Sequence, residues 1–195
     1  MIIRDYCKTD EQGWLSCRLN SFFDSSYFND IKREKEKYEK PSVCLVAEEE
    51  GQVIGILDME LDSEDLSCAK DERGAIVWHL GVLPQYRKQG VARALWEAAK
   101  QRMLDEGIHY CEIWTQEDEA ANKFYQSVGF EIEDSQTWLR CYVQGRACKE
   151  LLKQPFLEKI YGPEELIFDV PVAMKEEMEK ICYRIDEVRL YCGRF

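Results

Sequence analysis

The loop Arg87–Ala92 combines the residue types that bind an anion at the start of a helix, and it lies between an apolar stretch and an amphipathic one. The first turn of a helix exposes about four backbone N–H groups and the positive end of the helix dipole, which can hold a phosphate without a special side chain. Gly90 lacks a Cβ, so the backbone there can turn sharply and approach such a group closely. Positive charge on this otherwise acidic chain comes from Arg87, Lys88 and Arg93.

This loop and a second stretch, Asp118–Phe130, resemble the two signatures of the GNAT family of N-acetyltransferases. The loop is similar to Q/R-x-x-G-x-G/A, and the second stretch is similar to N-x-x-A-x-x-x-Y-x-x-x-G-F. Asp118 replaces the usual asparagine and can still cap a helix. A sequence pattern of this kind gains specificity from its context, here a preceding apolar strand and a following amphipathic helix.

The resemblance implies that acetyl-coenzyme A is bound and that its acetyl group passes to a primary amine by direct attack. In this family the loop amides hold the pyrophosphate, and a preceding strand pairs with the pantetheine arm. The residues expected to bind the cofactor are therefore Leu80, Gly81, Val82, Arg87, Lys88, Gln89, Gly90, Val91, Ala92 and Arg93.

Three side chains are candidates for proton transfer. The resemblance assigns protonation of the leaving thiolate to Tyr125, and a core tyrosine is the alternative. The resemblance makes Glu112 a candidate base, because some family members carry a glutamate in the strand before the second motif. A carboxylate in an apolar strand is costly to bury unpaired, and pairing with a cation is the alternative. His79 is the other candidate base and has a suitable ordinary pKa, and a structural histidine is the alternative. Strand alternation places it on the opposite face from Trp78 and Leu80 and leaves its side undecided. A water chain would also serve, and Asp58 or Glu60 could bind a cationic substrate.

The chain pattern predicts a mixed, mostly antiparallel α/β (α+β) sheet with helices on both faces and one parallel, splayed pair. An edge strand over 2–4 is followed by a helix from the capping-box sequence at Thr9 to Phe22, and by an exposed charged helix over Asp30–Lys40. The remaining elements up to residue 143 are a hairpin (42–47 and 53–59), a strand over 74–83, a helix over 91–106, a strand over 108–115, a helix over 119–128 and a strand from 130. The β-α-β unit around 91–106 must be parallel.

Residues 1–143 are predicted to form the acetyltransferase core, and 144–195 an extension packed on the same domain. Helices are predicted over Ala147–Lys159 and Val172–Tyr183, and strands over Glu165–Val170 and Glu187–Cys192. The second of these helices could close the pocket or pack against another subunit in a homodimer.

Composition limits the partners. The 195 residues carry 38 acidic and 26 basic side chains, for a net charge of −12, which argues against nucleic-acid binding and is compatible with a cationic substrate. No signal peptide or bilayer-spanning run is apparent, and the nine cysteines show no C-x-x-C pair. A cytoplasmic protein with reduced cysteines and no metal is expected. A non-catalytic protein that senses acetyl-coenzyme A is the alternative to an enzyme.

Overall fold

The computed structural model describes residues 1–28, 30–69, 72–152 and 164–195. Its centre is an eight-stranded sheet in the order β1-β2-β3-β4-β5-β8-β6-β7. The strands are β1 (Ile2–Asp5), β2 (Ser42–Glu49), β3 (Gln52–Leu61), β4 (Ala75–Val82), β5 (Tyr110–Thr115), β6 (Glu131–Gln144), β7 (Glu165–Pro171) and β8 (Arg184–Arg194). The helices are α1 (Glu11–Phe22), α2 (Val91–Asp105), α3 (Glu119–Ser127), α4 (Arg146–Leu151) and α5 (Lys175–Met178).

The mixed sheet predicted from the sequence is confirmed. β4 and β5 pair in parallel, whereas the other paired strands of the described sheet run antiparallel. The predicted hairpin is β2–β3, and Glu50 and Gly51 at its turn both have positive φ, as a tight two-residue turn requires.

Two glycines show that α1 and α2 cover opposite faces of the sheet. A Cβ on Gly55 of β3 would meet Val91 and Leu95 of α2, whereas a Cβ on Gly81 would meet Ser21 of α1 and Ile56. Because Gly55 and Ile56 are adjacent in one strand, their side chains point to opposite faces. The predicted arrangement of helices on both faces is confirmed.

The last strand comes from the region assigned to an extension. β8 lies between β5 and β6, with Glu112 opposite Cys192 on one side and Leu139 opposite Glu187 on the other. Leu190 and Tyr191 of this strand are fully buried. The C-terminal segment therefore completes the middle of this half of the sheet, while β7 adds an outer edge strand.

The helix predicted over Asp30–Lys40 is wrong: none of the residues 30–40 is helical. Lys35 and Glu36, although adjacent, both bind the sheet, at Asp58 and His79. These contacts outweigh the i,i+4 pairs that favour a helix, each worth only about 0.2–0.5 kcal/mol.

Two smaller predictions also need correction. The helix expected over Val172–Tyr183 is reduced to a 3-10 turn at Val172–Met174 and the single turn of α5, and neither has a buried residue to anchor it. The α1 helix is confirmed, but its expected capping box is displaced: Asp10 accepts from the backbone of Cys7 instead. Most of the helix predicted over Ala147–Lys159 lies outside the described residues, which show α4. None of the helices within the described ranges combines the length and apolar character that crossing a bilayer demands.

Candidate acetyl-transfer site

A slot opens between β4 and β5. The two strands pair only through Ala75 with Cys111, Ile76 with Glu112 and Val77 with Ile113, although β4 continues to Val82 and β5 to Thr115. The far half of β4 still pairs with β3 on its other edge. Its backbone N–H and C=O groups on the slot edge therefore have no strand partner within the described sheet, and β4 and β5 form the predicted splayed pair.

A β-bulge lies where the slot begins. Val77 pairs with Met59 and His79 pairs with Asp58, so Trp78 is the extra residue of β4. Strand alternation predicted that Trp78 and His79 point to opposite faces. That prediction is wrong. The Trp78 indole donates to Glu60, and His79 binds Glu36. The segment that carries Glu36 also binds Glu60 through the Lys40 backbone, so Trp78 and His79 point to the same face of the sheet.

The loop Arg87–Ala92 has the geometry of an open helix start. Lys88 and Gly90 both have positive φ, and Gly90 is the N-cap of α2 at φ 84°. Among the residues that the structure describes, no side chain caps this helix, and a Cβ on Gly90 would meet none of their atoms within 4 Å. The first N–H groups of α2 therefore face open space at the positive end of a 15-residue helix dipole.

The side chains of this loop hold its shape. The Arg87 guanidinium donates to the Ser21 carbonyl at 2.8 Å and pairs with Asp24 at 3.2 Å, which ties the loop to the end of α1. Arg93 donates to Ser127 Oγ at 2.9 Å. The Gln89 side chain donates to the Gln85 carbonyl. Lys88 and Gln89 are both exposed. Val91 and Ala92 begin α2, and Val91 is buried in the core.

The predicted pantetheine strand is the far half of β4. Leu80 and Val82 pack partly against the main core, and Gly81 lies against Ser21 of α1. A side chain at position 81 would push Ser21 away, because a Cβ there would lie 3.2 Å from the Ser21 Cβ. The small residue allows α1 to pack directly on the strand that borders the slot.

Tyr125 is buried on α3, which begins directly after β5. Its ring packs against Phe124, Phe130 and Tyr191, and its hydroxyl makes no hydrogen bond to another described residue. Burial, with smaller effects from neighbouring phenols and Asp118, raises the pKa of the Tyr125 phenol far above its ordinary value. The phenol is therefore protonated at neutral pH. Asp118 caps α3, as predicted, by accepting from the backbone of Ala120 and Ala121.

Tyr27 also reaches the end of β5. Its hydroxyl accepts from the Gln116 backbone N–H at 3.0 Å, and burial raises the pKa of this phenol. The sequence showed Tyr27 only as one of several aromatic residues after α1, with no spacing that would indicate this contact.

Glu112 lies in the paired part of β5, before the slot. Its carboxylate is fully buried and accepts from the backbone N–H groups of Ser67 and Cys68 at 2.8 and 2.9 Å. The Tyr110 hydroxyl donates to it at 2.8 Å. These contacts are those of an anchor for the loop between β3 and β4.

His79 lies beyond the last β4–β5 pair, and both of its ring nitrogens have partners. Nε2 is 2.6 Å from Glu36, and Nδ1 accepts from Arg18 Nε at 3.4 Å. The hydrogen bond to His79 is the largest cause that lowers the pKa of Glu36 to about 2. The ring also packs edge-on against Trp14 at 5.3 Å.

Asp58 and Glu60 are bound by the protein itself. Asp58 is fully buried, pairs with Lys35 at 2.8 Å and accepts from the Tyr38 hydroxyl at 3.0 Å. The Lys35 ammonium lies 5.0–5.4 Å from the rings of Tyr6, Trp14 and Tyr38. The cation that the sequence suggested for Asp58 is thus present, but it belongs to the chain.

Comparison with known proteins agrees with the family resemblance seen in the sequence. The sequence model of the Acetyltransferase (GNAT) family matches residues 5–130. A mycothiol acetyltransferase of Nocardiopsis dassonvillei is 26% identical over 134 residues, which are 65% of this chain and 41% of that protein. The chain therefore spans less than half of that relative.

Solved structures share the fold. The PaiA N-acetyltransferase of Thermoplasma acidophilum, in complex with coenzyme A, has a TM-score of 0.55 at 19% identity and covers 68% of this chain and 91% of its own. The ribosomal-protein-S18-alanine N-acetyltransferase of Escherichia coli has a TM-score of 0.57 at 13% identity, covering 99% and 92%. The splayed β4–β5 pair, the open start of α2 and the match over residues 5–130 establish that this chain belongs to the GNAT acetyltransferase family.

Proposed function

We propose that this protein transfers an acetyl group from acetyl-coenzyme A to a primary amine by direct attack. The observation that carries the proposal is the slot between β4 and β5, which lies on the same strand that leads into the uncapped start of α2. The pyrophosphate would bind the N–H groups of Arg87–Ala92, and the pantetheine arm would bond to the slot edge of Leu80–Val82. Family membership supports the cofactor assignment.

The reaction needs an amine lone pair, a stabilised oxyanion and a proton for the leaving sulfur. The amine nitrogen attacks the thioester carbonyl and forms the new C–N bond, and the C–S bond then breaks. A backbone N–H of the slot edge, at Val82 or a neighbour, would stabilise the oxyanion. Tyr125 would give its proton to the departing thiolate, and burial keeps this phenol protonated until that step.

The positions and hydrogen bonds of Glu112 and His79 argue against either side chain as the base. Glu112 lies within the paired part of β4 and β5 and already accepts three hydrogen bonds. His79 lies at the start of the slot, but Arg18 and Glu36 engage both of its nitrogens. We therefore propose that water removes the amine's proton, and that Glu112 and His79 support the site's structure.

The acceptor is proposed to be cationic, because a chain with a net charge of −12 concentrates positive ligands near its surface. A panel of polyamines, aminoglycosides and peptides with free N-termini would test this class. Free coenzyme A should be quantified by chromatography, because the nine cysteines of the chain would react with thiol reagents.

Acetyl-coenzyme A should bind in a calorimetric titration, and at least one amine of the panel should release coenzyme A above the rate without protein. Binding without release for every amine would favour the sensor. Absence of binding would reject both functions.

A further inference from the structure

Three side chains of types that can bind a metal lie together at the paired end of β4 and β5, away from the slot. The carboxylate of Glu112 and the thiols of Cys68 and Cys192 each offer one ligand atom, and these atoms lie within 4.8 Å of one another. Glu112 and Cys192 are directly opposite in the β5–β8 ladder, so the sheet fixes two of the three groups on one face. Cys68 comes from the loop whose backbone binds Glu112.

The burial of the Glu112 carboxylate indicates that a cation would complete this group of three side chains. Its carboxylate is fully buried, and within residues 1–28, 30–69, 72–152 and 164–195 it forms no ion pair. The Arg194 guanidinium lies over the Tyr110 ring at 4.8 Å but pairs with Glu72. Two backbone amides and a phenol satisfy part of its hydrogen-bonding capacity, but none of the described residues supplies a cation for this carboxylate, and burying a carboxylate without one is costly.

We propose that Cys68, Glu112 and Cys192 bind a zinc ion, with water as the fourth ligand. Two thiolates and one carboxylate suit Zn²⁺, which accepts sulfur, nitrogen and oxygen ligands in tetrahedral geometry. Calcium and magnesium ions prefer sites made of oxygen alone. Binding replaces the two thiol protons, which are released to solvent, so the net charge of the group stays at −1 while a cation comes to lie beside the buried carboxylate.

The geometry needs only a small adjustment. Zinc–ligand bonds of about 2.0–2.3 Å place tetrahedral ligands about 3.3–3.8 Å apart, compared with the present limit of 4.8 Å. Cys68, on an exposed loop, can close this difference while Glu112 and Cys192 stay in their strands. The Tyr110 hydroxyl, 2.8 Å from Glu112 and 3.1 Å from Cys192 Sγ, would orient both ligands from outside the metal's own shell.

The ion would fasten the β3–β4 loop to β5 and β8, beside the strand pairs from which the slot opens. Its role would be structural, and it does not depend on acetyl transfer. The sequence offered no sign of this site, because its two cysteines lie far apart in the chain and only the sheet brings them together.

The test is zinc binding by the full chain, reduced with a phosphine and freed of metal by dialysis against a chelator. Zn²⁺ alone is titrated in competition with a chromophoric chelator, for the wild type and for Cys68→Ser, Cys192→Ser and Cys7→Ser. Cys7 is an exposed cysteine outside the group and provides the matched control. We expect one tight zinc per chain in the wild type and Cys7→Ser, and at least tenfold weaker binding in the other two variants.

A second measurement uses the wild type alone and therefore does not depend on whether the cysteine variants fold. Co²⁺ bound to the wild type should show a thiolate-to-cobalt charge-transfer band and the intense visible bands of tetrahedral cobalt. Zinc should also raise the wild-type melting temperature. The proposal is overturned if the reduced wild type binds no stoichiometric zinc, if its cobalt spectrum shows only oxygen ligands, or if Cys7→Ser loses as much affinity as the other variants.

Discussion

The two ends of the β4–β5 pair are built in opposite ways. At one end the strands are bonded, and Glu112 fills the space beside them with a buried carboxylate that three donors hold. At the other end the strands separate, the edge of β4 has no strand partner, and Tyr125 has a hydroxyl without a described hydrogen-bond partner. At one end three donors of the chain already bind the buried carboxylate, whereas at the other end the polar groups are available to a ligand.

This difference separates stability from chemistry along a single strand pair. Buried polar groups that are satisfied internally fix a structure, and removing one partner is costly. Open polar groups can be satisfied by a ligand instead. Substitutions at the bonded end should therefore act on the free energy of unfolding, and substitutions at the open end should act on binding and rate.

Glu112→Ala tests the bonded end and has the largest expected effect. It leaves two backbone N–H groups and the Tyr110 hydroxyl without their acceptor, so the free energy of unfolding should fall by about 3 kcal/mol or more. Urea denaturation measures this change. Glu119→Ala is the control, because Glu119 and its partner Lys123 are both exposed to solvent, so the free energy of unfolding should change little. Equal losses in both variants would contradict the anchoring role.

Tyr125→Phe tests the open end. The variant keeps the ring that packs against Phe130 and Tyr191 but lacks the proton for the leaving thiolate, so kcat should fall about 100-fold. The KM for acetyl-coenzyme A should change less than twofold. Tyr183→Phe, which removes an exposed phenol that donates to Glu165 of the edge strand β7, should retain the wild-type kcat. A kcat of Tyr125→Phe near the wild-type value would assign Tyr125 to the core.

Gly90→Ala sharpens the comparison within the open end. Gly90 has φ 84° and open space around its Cα, so alanine adds backbone strain of about 1 kcal/mol without a clash. The strained loop should bind the pyrophosphate less well, and the KM for acetyl-coenzyme A should rise about tenfold. Gly51→Ala is a matched control, with φ 80° and equal space at the β2–β3 turn. Both variants should lose similar stability, and an equal rise in KM in both would refute a phosphate-binding role for the loop.

The parts of this molecule that could be read from sequence are those that local chemistry determines. The glycine at 90, the helix that follows and the Asp118 cap depend on neighbouring residues, and the structure places them as predicted. Lys35 and Glu36 depend on strands distant in the chain, so their charge pattern wrongly indicated a helix. The apolar pattern of β4 gives no sign of the bulge at Trp78. The face of the sheet to which His79 points could therefore not be predicted from the sequence.

The pair of Glu36 and His79 lies at the boundary between the two ends and gives the smallest effect. Glu36 has its pKa lowered to about 2, chiefly by the hydrogen bond to His79, so its folded pKa lies below the ordinary value of 4.5. The stability that it contributes is present above pH 4.5 and is lost as the pH falls towards 2. Glu36→Gln should therefore lose less stability than the wild type between pH 5 and pH 3, as urea denaturation at both values would show. Because Glu36 is partly exposed, solvent screening should keep the difference below about 1 kcal/mol. If the two proteins lose stability equally over this interval, the hydrogen bond does not hold the His79 ring at the mouth of the slot.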